Sequence, residues 1–162
     1  MTMGERAARR LKHRQPALAI SPPVNEPRLA STPNSQCFVY RLKTIDSEGP
    51  WGWDFIKPKW REIISKLDDY QTRTWSEILS DNSGRGRKGG TNHHPIAIKG
   101  LNKKAVKRFD ELENEGVEEV FSLRLTGTER VYGIRRGVFF DMLWFDPTHG
   151  DHENCVCRSR KR

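Results

Sequence analysis

The sequence predicts an α+β fold: a small antiparallel sheet in β-α-α-β-β-β order, packed against a helical hairpin, with an extra helix and disordered tails. Three observations carry this. Residues 120–145 hold three consecutive strand-like runs separated by turn residues. Residues 60–80 hold two short stretches whose apolar side chains recur at helical spacing. Aromatic side chains are absent from residues 1–36, so a core can only be built downstream of them.

The three runs form the centre of the fold. Phe121, Leu123 and Leu125 alternate with Ser122, Arg124 and Thr126, the period of a half-buried strand. Gly127 and Thr128 turn the chain into a second run, residues 130–136. Gly137 closes it, because glycine tolerates the positive φ of a tight hairpin. Residues 138–145 make the third. Val138, Phe140, Met142 and Trp144 are expected on one face and Phe139, Leu143 and Phe145 on the other. Apolar residues on both faces predict a central strand, covered on each side. Pro147 stops it, having no N–H for the ladder.

The chain has 162 residues, 35% hydrophobic and 31% charged, enough for one modest core plus tails. Its net charge of +8 is unevenly spread. Residues 1–36 hold six basic and two acidic side chains, residues 151–162 four and two, and residues 37–150 nineteen and seventeen. Most of the excess therefore sits in the tails, where it gives weak, salt-dependent affinity for any polyanion. With five prolines, residues 1–36 read as a disordered basic arm. Residues 37–150 are the single domain, and residues 151–162 a basic C-terminal tail. No apolar run approaches the roughly eighteen residues of a membrane span. Three cysteines, two of them crowded at Cys155 and Cys157, do not make a secreted disulfide framework. A cytoplasmic location without membrane association is the expectation.

Upstream elements follow in order. Residues 37–44 are the first strand, with Phe38, Tyr40 and Leu42 alternating with Val39, Arg41 and Lys43. Trp51 and Trp53, in a Gly/Pro-punctuated loop, are expected to anchor the core edge. Pro58 is suited to a helix start, and Trp60, Ile63, Ile64, Leu67 and Tyr70 share one helical face. Thr74 and Glu77 fit a capping box for a second helix carrying Trp75, Ile78 and Leu79. Residues 81–92 are a mobile, Gly-rich basic loop with Arg85, Arg87 and Lys88, without phosphate-cradle spacing. His93 to Ile98 is extended. Asn102 caps a third helix with Ala105, Val106, Phe109 and Leu112 inward and Lys103, Lys104, Lys107 and Arg108 outward. Cations at the start of a helix oppose its macrodipole, so this patch and the loop are the candidate nucleic-acid contacts.

Three clusters can carry chemistry. The first is Arg124, Arg130, Tyr132, Arg135 and Arg136 on the meander, with His149 just beyond. Cleavage of RNA by its own 2′-hydroxyl needs a base, an acid and a stabiliser for the charged phosphorus centre. Arginine fits the last role and His or Tyr the others. The competing reading is that these arginines face solvent or pair with Asp141, Asp146 and Glu129. The second cluster is His149, His152, Cys155 and Cys157, whose spacing is too compact for the usual separated zinc knuckles. No metal or cofactor is assigned. The third is His93-His94, of which His94 is the candidate proton carrier.

The order of a strand, a helical hairpin and an arginine-bearing meander resembles the RelE/ParE superfamily of bacterial toxins. RVYGIRRGVFFDMLWFDPTH, residues 130–149, is similar to that family's last hairpin. The resemblance implies a RelE-like toxin of a toxin–antitoxin pair, cleaving RNA without a metal. It places Arg124, Arg130, Tyr132, Arg135, Arg136 and His149 in the catalytic or RNA-contacting set. RNA or the ribosome, and a cognate antitoxin, become the expected partners. The alternative is a non-catalytic nucleic-acid-binding or partner-inhibiting protein that uses the basic tails and the Gly-rich loop.

Overall fold

A five-stranded sheet with helices on both faces is built from β1 (Val39–Arg41), β2 (His94–Ala97), β3 (Glu119–Arg124), β4 (Arg130–Arg136) and β5 (Phe139–Asp146). The helices are α1 (Trp60–Gln71), α2 (Trp75–Ser80) and α3 (Lys103–Glu111). The computed structural model describes residues 31–54, 59–82, 91–151 and 154–158. The fold is α+β, as the strand and helix patterns predict. Strand order is β1-β5-β4-β3-β2, so β4 lies at the centre between β5 and β3. Among the described residues no helix is long and apolar enough to cross a membrane.

The α1–α2 hairpin covers one face. Ile63, Leu67, Trp75 and Ile78 pack with Phe38 and Trp53 onto Phe121, Leu123, Val131, Phe140, Met142 and Phe145. The expected capping box is present: Thr74 accepts from the Glu77 N–H, and the Glu77 carboxylate accepts from the Thr74 N–H. Pro58 lies outside the described residues. The opposite face is covered by α3, whose Ala105 and Phe109 meet Val120, Tyr132, Ile134, Leu143 and Trp144. Asn102 caps α3 through the Ala105 N–H, as predicted. Trp51 and Trp53 are both core residues, on opposite faces of the sheet.

Two features depart from the sequence expectation. The first strand is short and runs parallel to β5, pairing Val39 with Phe139 and Arg41 with Asp141, so the sheet is mixed. Its partner arrives about a hundred residues later, after a crossover that includes the helices, and no local turn chemistry encodes that direction. Second, the β4–β5 register shifts between Tyr132 and Gly133, leaving Leu143 as the extra residue of a bulge. Met142 therefore faces the hairpin while Leu143 and Trp144 both face α3, and Phe145 turns back to the hairpin. Strict alternation had put Trp144 beside Met142.

Gly133 sits at this bulge. A Cβ there would lie 2.5 Å from the Asp141 carbonyl oxygen and 2.7 Å from the Phe140 ring. Gly133→Ala is expected to cost about 3 kcal/mol, because neither a central-strand carbonyl nor a buried ring can move aside. The check is the urea midpoint, with Gly127→Ala, which meets nothing within 4 Å, as the neutral control. Gly137 adopts φ +64° in the β4–β5 turn, as its place in the hairpin predicted.

The ordered structure extends beyond the expected domain limits. Residues 33–35 form a 3-10 turn against α2, where Ser76 Oγ donates to the Asn34 carbonyl at 2.9 Å. Val156 is buried under α3, and Leu101 pairs with Cys157. Part of what reads as tail thus completes the core.

Candidate active site

Strand pairing brings the first cluster partly together. Arg124 ends β3, Arg130 begins β4, and the two are direct partners across the ladder. The β3–β4 turn is tied to the segment after β5 by the His149 N–H, which donates to the Thr128 carbonyl at 2.8 Å. That bond sets His149 against Tyr132, with the hydroxyl 3.3 Å from Nδ1. Cys157 brings its Sγ to 3.5 Å from the same nitrogen. On the far side, β2 pairs with β3 so that His94 stands opposite Ser122, and Ser122 opposite Tyr132. One end of the α3-facing surface therefore gathers Arg124, Arg130, Tyr132, His149 and His94.

Arg130 is 7% exposed and carries an unusual burden. Its Nη1 donates to the Thr126 and Glu129 carbonyls, each at 2.9 Å, while its buried Nε has no hydrogen-bond partner among the described residues. Among the described residues no carboxylate comes within ion-pair distance of Arg130 or Arg124. Of the two acids nearby, Glu129 is bound elsewhere, while Asp146, the partner of Arg130 across the β4–β5 ladder, attracts it without touching it. Glu129 binds Lys59 at 2.5 Å and Thr126 at 2.9 Å. Asp146 accepts from the backbone N–H of Thr148 and of Val156. Burial, and then the neighbouring Arg124 charge, lowers the Arg130 pKa. Ser122 Oγ, opposite Tyr132, is a second buried polar atom without a well-formed hydrogen bond among the described residues.

Arg124 is clamped rather than neutralised. Its Nη1 donates to Asn92 Oδ1 at 2.6 Å and its Nε to the Thr126 carbonyl at 2.9 Å. Its backbone N–H donates to His93 Nδ1, and its carbonyl accepts from the Tyr70 hydroxyl. His93 is buried, with Nε2 3.3 Å from Asp81, which in turn holds Arg73. The Asp81 contact puts the ring proton on Nε2 and leaves Nδ1 to receive the Arg124 N–H. Asn92 is the site residue that sequence reasoning missed, and His93, named there with His94, holds the Arg124 backbone instead of carrying protons. Their role depends on β2–β3 register across an intervening helix, and nothing local signals it.

The site electrostatics favour an anion. His149 is held at about 4, by burial first and then by Arg130, His94 and Arg124. Burial raises the Tyr132 hydroxyl well above its ordinary range. Burial also raises the Cys157 thiol to about 12. At neutral pH the two arginines, with Asp146 within electrostatic reach of Arg130, stand beside a neutral imidazole, phenol and thiol.

The remaining predicted residues lie elsewhere. Arg135 stacks over Trp75 at 4.0 Å on the hairpin side, and Arg136 pairs with Asp141 at 3.2 Å. Both sit at the opposite end of β4 from Arg130, so for Arg136 the ion-pair reading holds. Tyr132 is fully buried and acts on His149 rather than on a ligand. Arg108 is taken up by buried Asp46 at 2.8 Å, with Glu48 and Glu111 each at 3.2 Å, so it is a structural residue. Lys103, Lys104 and Lys107 are exposed on α3. Arg85, Arg87 and Lys88, with His152, lie outside the described residues. Comparison with protein-family models, with curated proteins and with solved structures returned no match.

His93, like His149, is held at about 4 rather than 6.5, by burial before any charge. Both recover their ordinary values on unfolding, so the unfolded chain binds more protons between about pH 4 and 6.5. Stability is therefore full above that window and falls as pH drops through it. Denaturant midpoints at pH 7.5, 6 and 5 are expected to decrease in that order, with His93→Gln flattening the trend.

Proposed function

We propose that this chain cleaves RNA by transfer of the phosphodiester to its own 2′-hydroxyl, as a RelE-like toxin acting in the cytoplasm. The observation that carries the reading is the Arg124–Arg130 pair: partners across the ladder, neither in contact with a carboxylate among the described residues, beside His149, with Asp146 acting on Arg130 only through space. Arg124 contacts the phosphate, and buried Arg130 supplies charge from beneath it. His94 takes the 2′-hydroxyl proton as that oxygen attacks phosphorus. The bond to the 5′-oxygen breaks, and His149 delivers a proton to the leaving oxygen. The products are a 2′,3′-cyclic phosphate and a 5′-hydroxyl, with proton exchange through solvent resetting the two histidines.

The phosphate itself makes His149 competent. In the free protein its depressed pKa keeps it neutral. Bound negative charge offsets the two arginines and raises it, so a larger share of the acid is charged when substrate is present. Tyr132 positions the ring. A cognate antitoxin covering this surface would block it. The test is incubation of purified protein with a single-stranded RNA and its all-deoxy counterpart. The RNA is expected to yield cyclic-phosphate ends and the DNA to stay intact. Equal cleavage of both, or none of either, would remove this function.

A further inference from the structure

A groove along α3 is lined by none of the residues gathered at the arginine pair and has a different character. It encloses about 510 Å³, within the ~300–1,000 Å³ range of ligand sites. Leu101 and Val106 give it an apolar floor, while Lys99, Lys103, Lys107 and Arg158 stand around it against the single acid Asp110. Among the described residues these cations are poorly compensated. Lys107 reaches Glu111 only at 3.9 Å with its side chain 82% exposed, and the first turn of α3 has no acidic residue. Lys103 and Lys104 therefore add positive charge at the helix end whose unpaired N–H groups are already positive.

The groove wall is fixed. The Asn102 N–H donates to the Val156 carbonyl and the Arg158 N–H to the Gly100 carbonyl, each at 3.0 Å. The Asn102 side-chain amide also donates to the Cys155 carbonyl. Residues 156–158 thus form a rigid rim facing α3, so a ligand here meets a preformed surface and loses little to ordering it.

We propose that this groove binds an acidic peptide segment of a protein partner, with an apolar side chain seated between Leu101 and Val106 and carboxylates on the flanking lysines. Charge complementarity selects the acid, and the apolar floor selects a peptide over a nucleic-acid backbone, which needs cations alone. The proposal is independent of the RNA-cleaving reading.

The test uses full-length protein and a fluorescent peptide that alternates Leu with Asp and Glu, read by anisotropy at 150 mM salt. A matched peptide with Ser for Leu and an oligouridine serve as competitors. Saturable binding is expected, weakened at least tenfold by Ser for Leu and at least tenfold by Lys99→Glu/Lys103→Glu. Both lysines are surface side chains without ion pairs among the described residues, so this variant folds. Equal binding of the Leu and Ser peptides would reduce the groove to a non-specific cation patch. Displacement by oligouridine that is lost in the double variant would assign the groove to nucleic acid. Either outcome overturns the proposal, as does absence of binding.

Discussion

Asp46→Ala is expected to unfold a large share of the molecules at room temperature. Asp46 is 3% exposed and is the acceptor for three elements at once. It receives two hydrogen bonds from Arg108 of α3, at 2.8 and 2.9 Å. It also receives one from Trp144 Nε1 of β5 at 2.8 Å and one from the Glu48 N–H at 3.0 Å. Removing it takes the buried acceptor from Arg108, leaving that guanidinium only Glu48 and Glu111, and strands a buried indole N–H. Breaking one partner of such a pair costs about 3–5 kcal/mol, a large fraction of the ~5–15 kcal/mol that holds a domain together. Arg108→Met combined with Asp46→Ala should cost less than the sum of the two single changes, since the second removes the orphan that the first creates. Denaturant midpoints for the four proteins measure this. Burial alone would raise the Asp46 pKa, but bonds from Arg108, Trp144 and Glu48 hold it below its ordinary value. Its contribution is present at neutral pH and is lost only as pH falls through that lowered value.

Arg124→Ala is expected to lower the RNA cleavage rate about 100- to 1,000-fold, the usual effect of deleting one preorganised donor to a developing charge. The loss should fall on kcat more than on KM, because the interaction strengthens as the phosphorus centre gains charge. Arg135→Ala, at the far end of β4, should leave the rate within a few-fold and instead expose Trp75. Asn92→Ala, which frees the Arg124 guanidinium without removing it, should fall between them. Folding of each variant is checked by its midpoint. Equal losses from Arg124→Ala and Arg135→Ala would place the chemistry somewhere other than the β3–β4 junction.

The elements with local codes were legible in the sequence. The three-stranded meander was readable because alternation and turn glycines are near-neighbour signals, and so was the α2 cap, with Thr74 three residues before Glu77. Trp51 and Trp53 read correctly as anchors because large apolar rings flanked by turn residues rarely stay exposed. Long-range geometry was not legible. The parallel entry of β1 depends on where α1 and α2 deliver the chain. The Leu143 bulge depends on how Phe140 packs over Gly133. For the site, Arg124, Arg130 and His149 could be nominated from their residue types. Separating them from Arg135, Arg136 and Arg108 required knowing which carboxylates lie within reach. Arg108 looked like surface charge on α3 until Asp46, sixty-two positions away, came to meet it.

The most direct measurement is the imidazole pKa of His149 by NMR, in the free protein and with a dinucleotide whose 2′-oxygen is methylated and which cannot be cleaved. The account predicts a free value near 4. Binding should raise it by at least about one unit, through partial neutralisation of the arginine field. The rise should disappear in Arg124→Ala. A free value near 6.5, or a depressed value that ignores the dinucleotide, would contradict a phosphate held by Arg124 above Arg130, and with it the proposed chemistry.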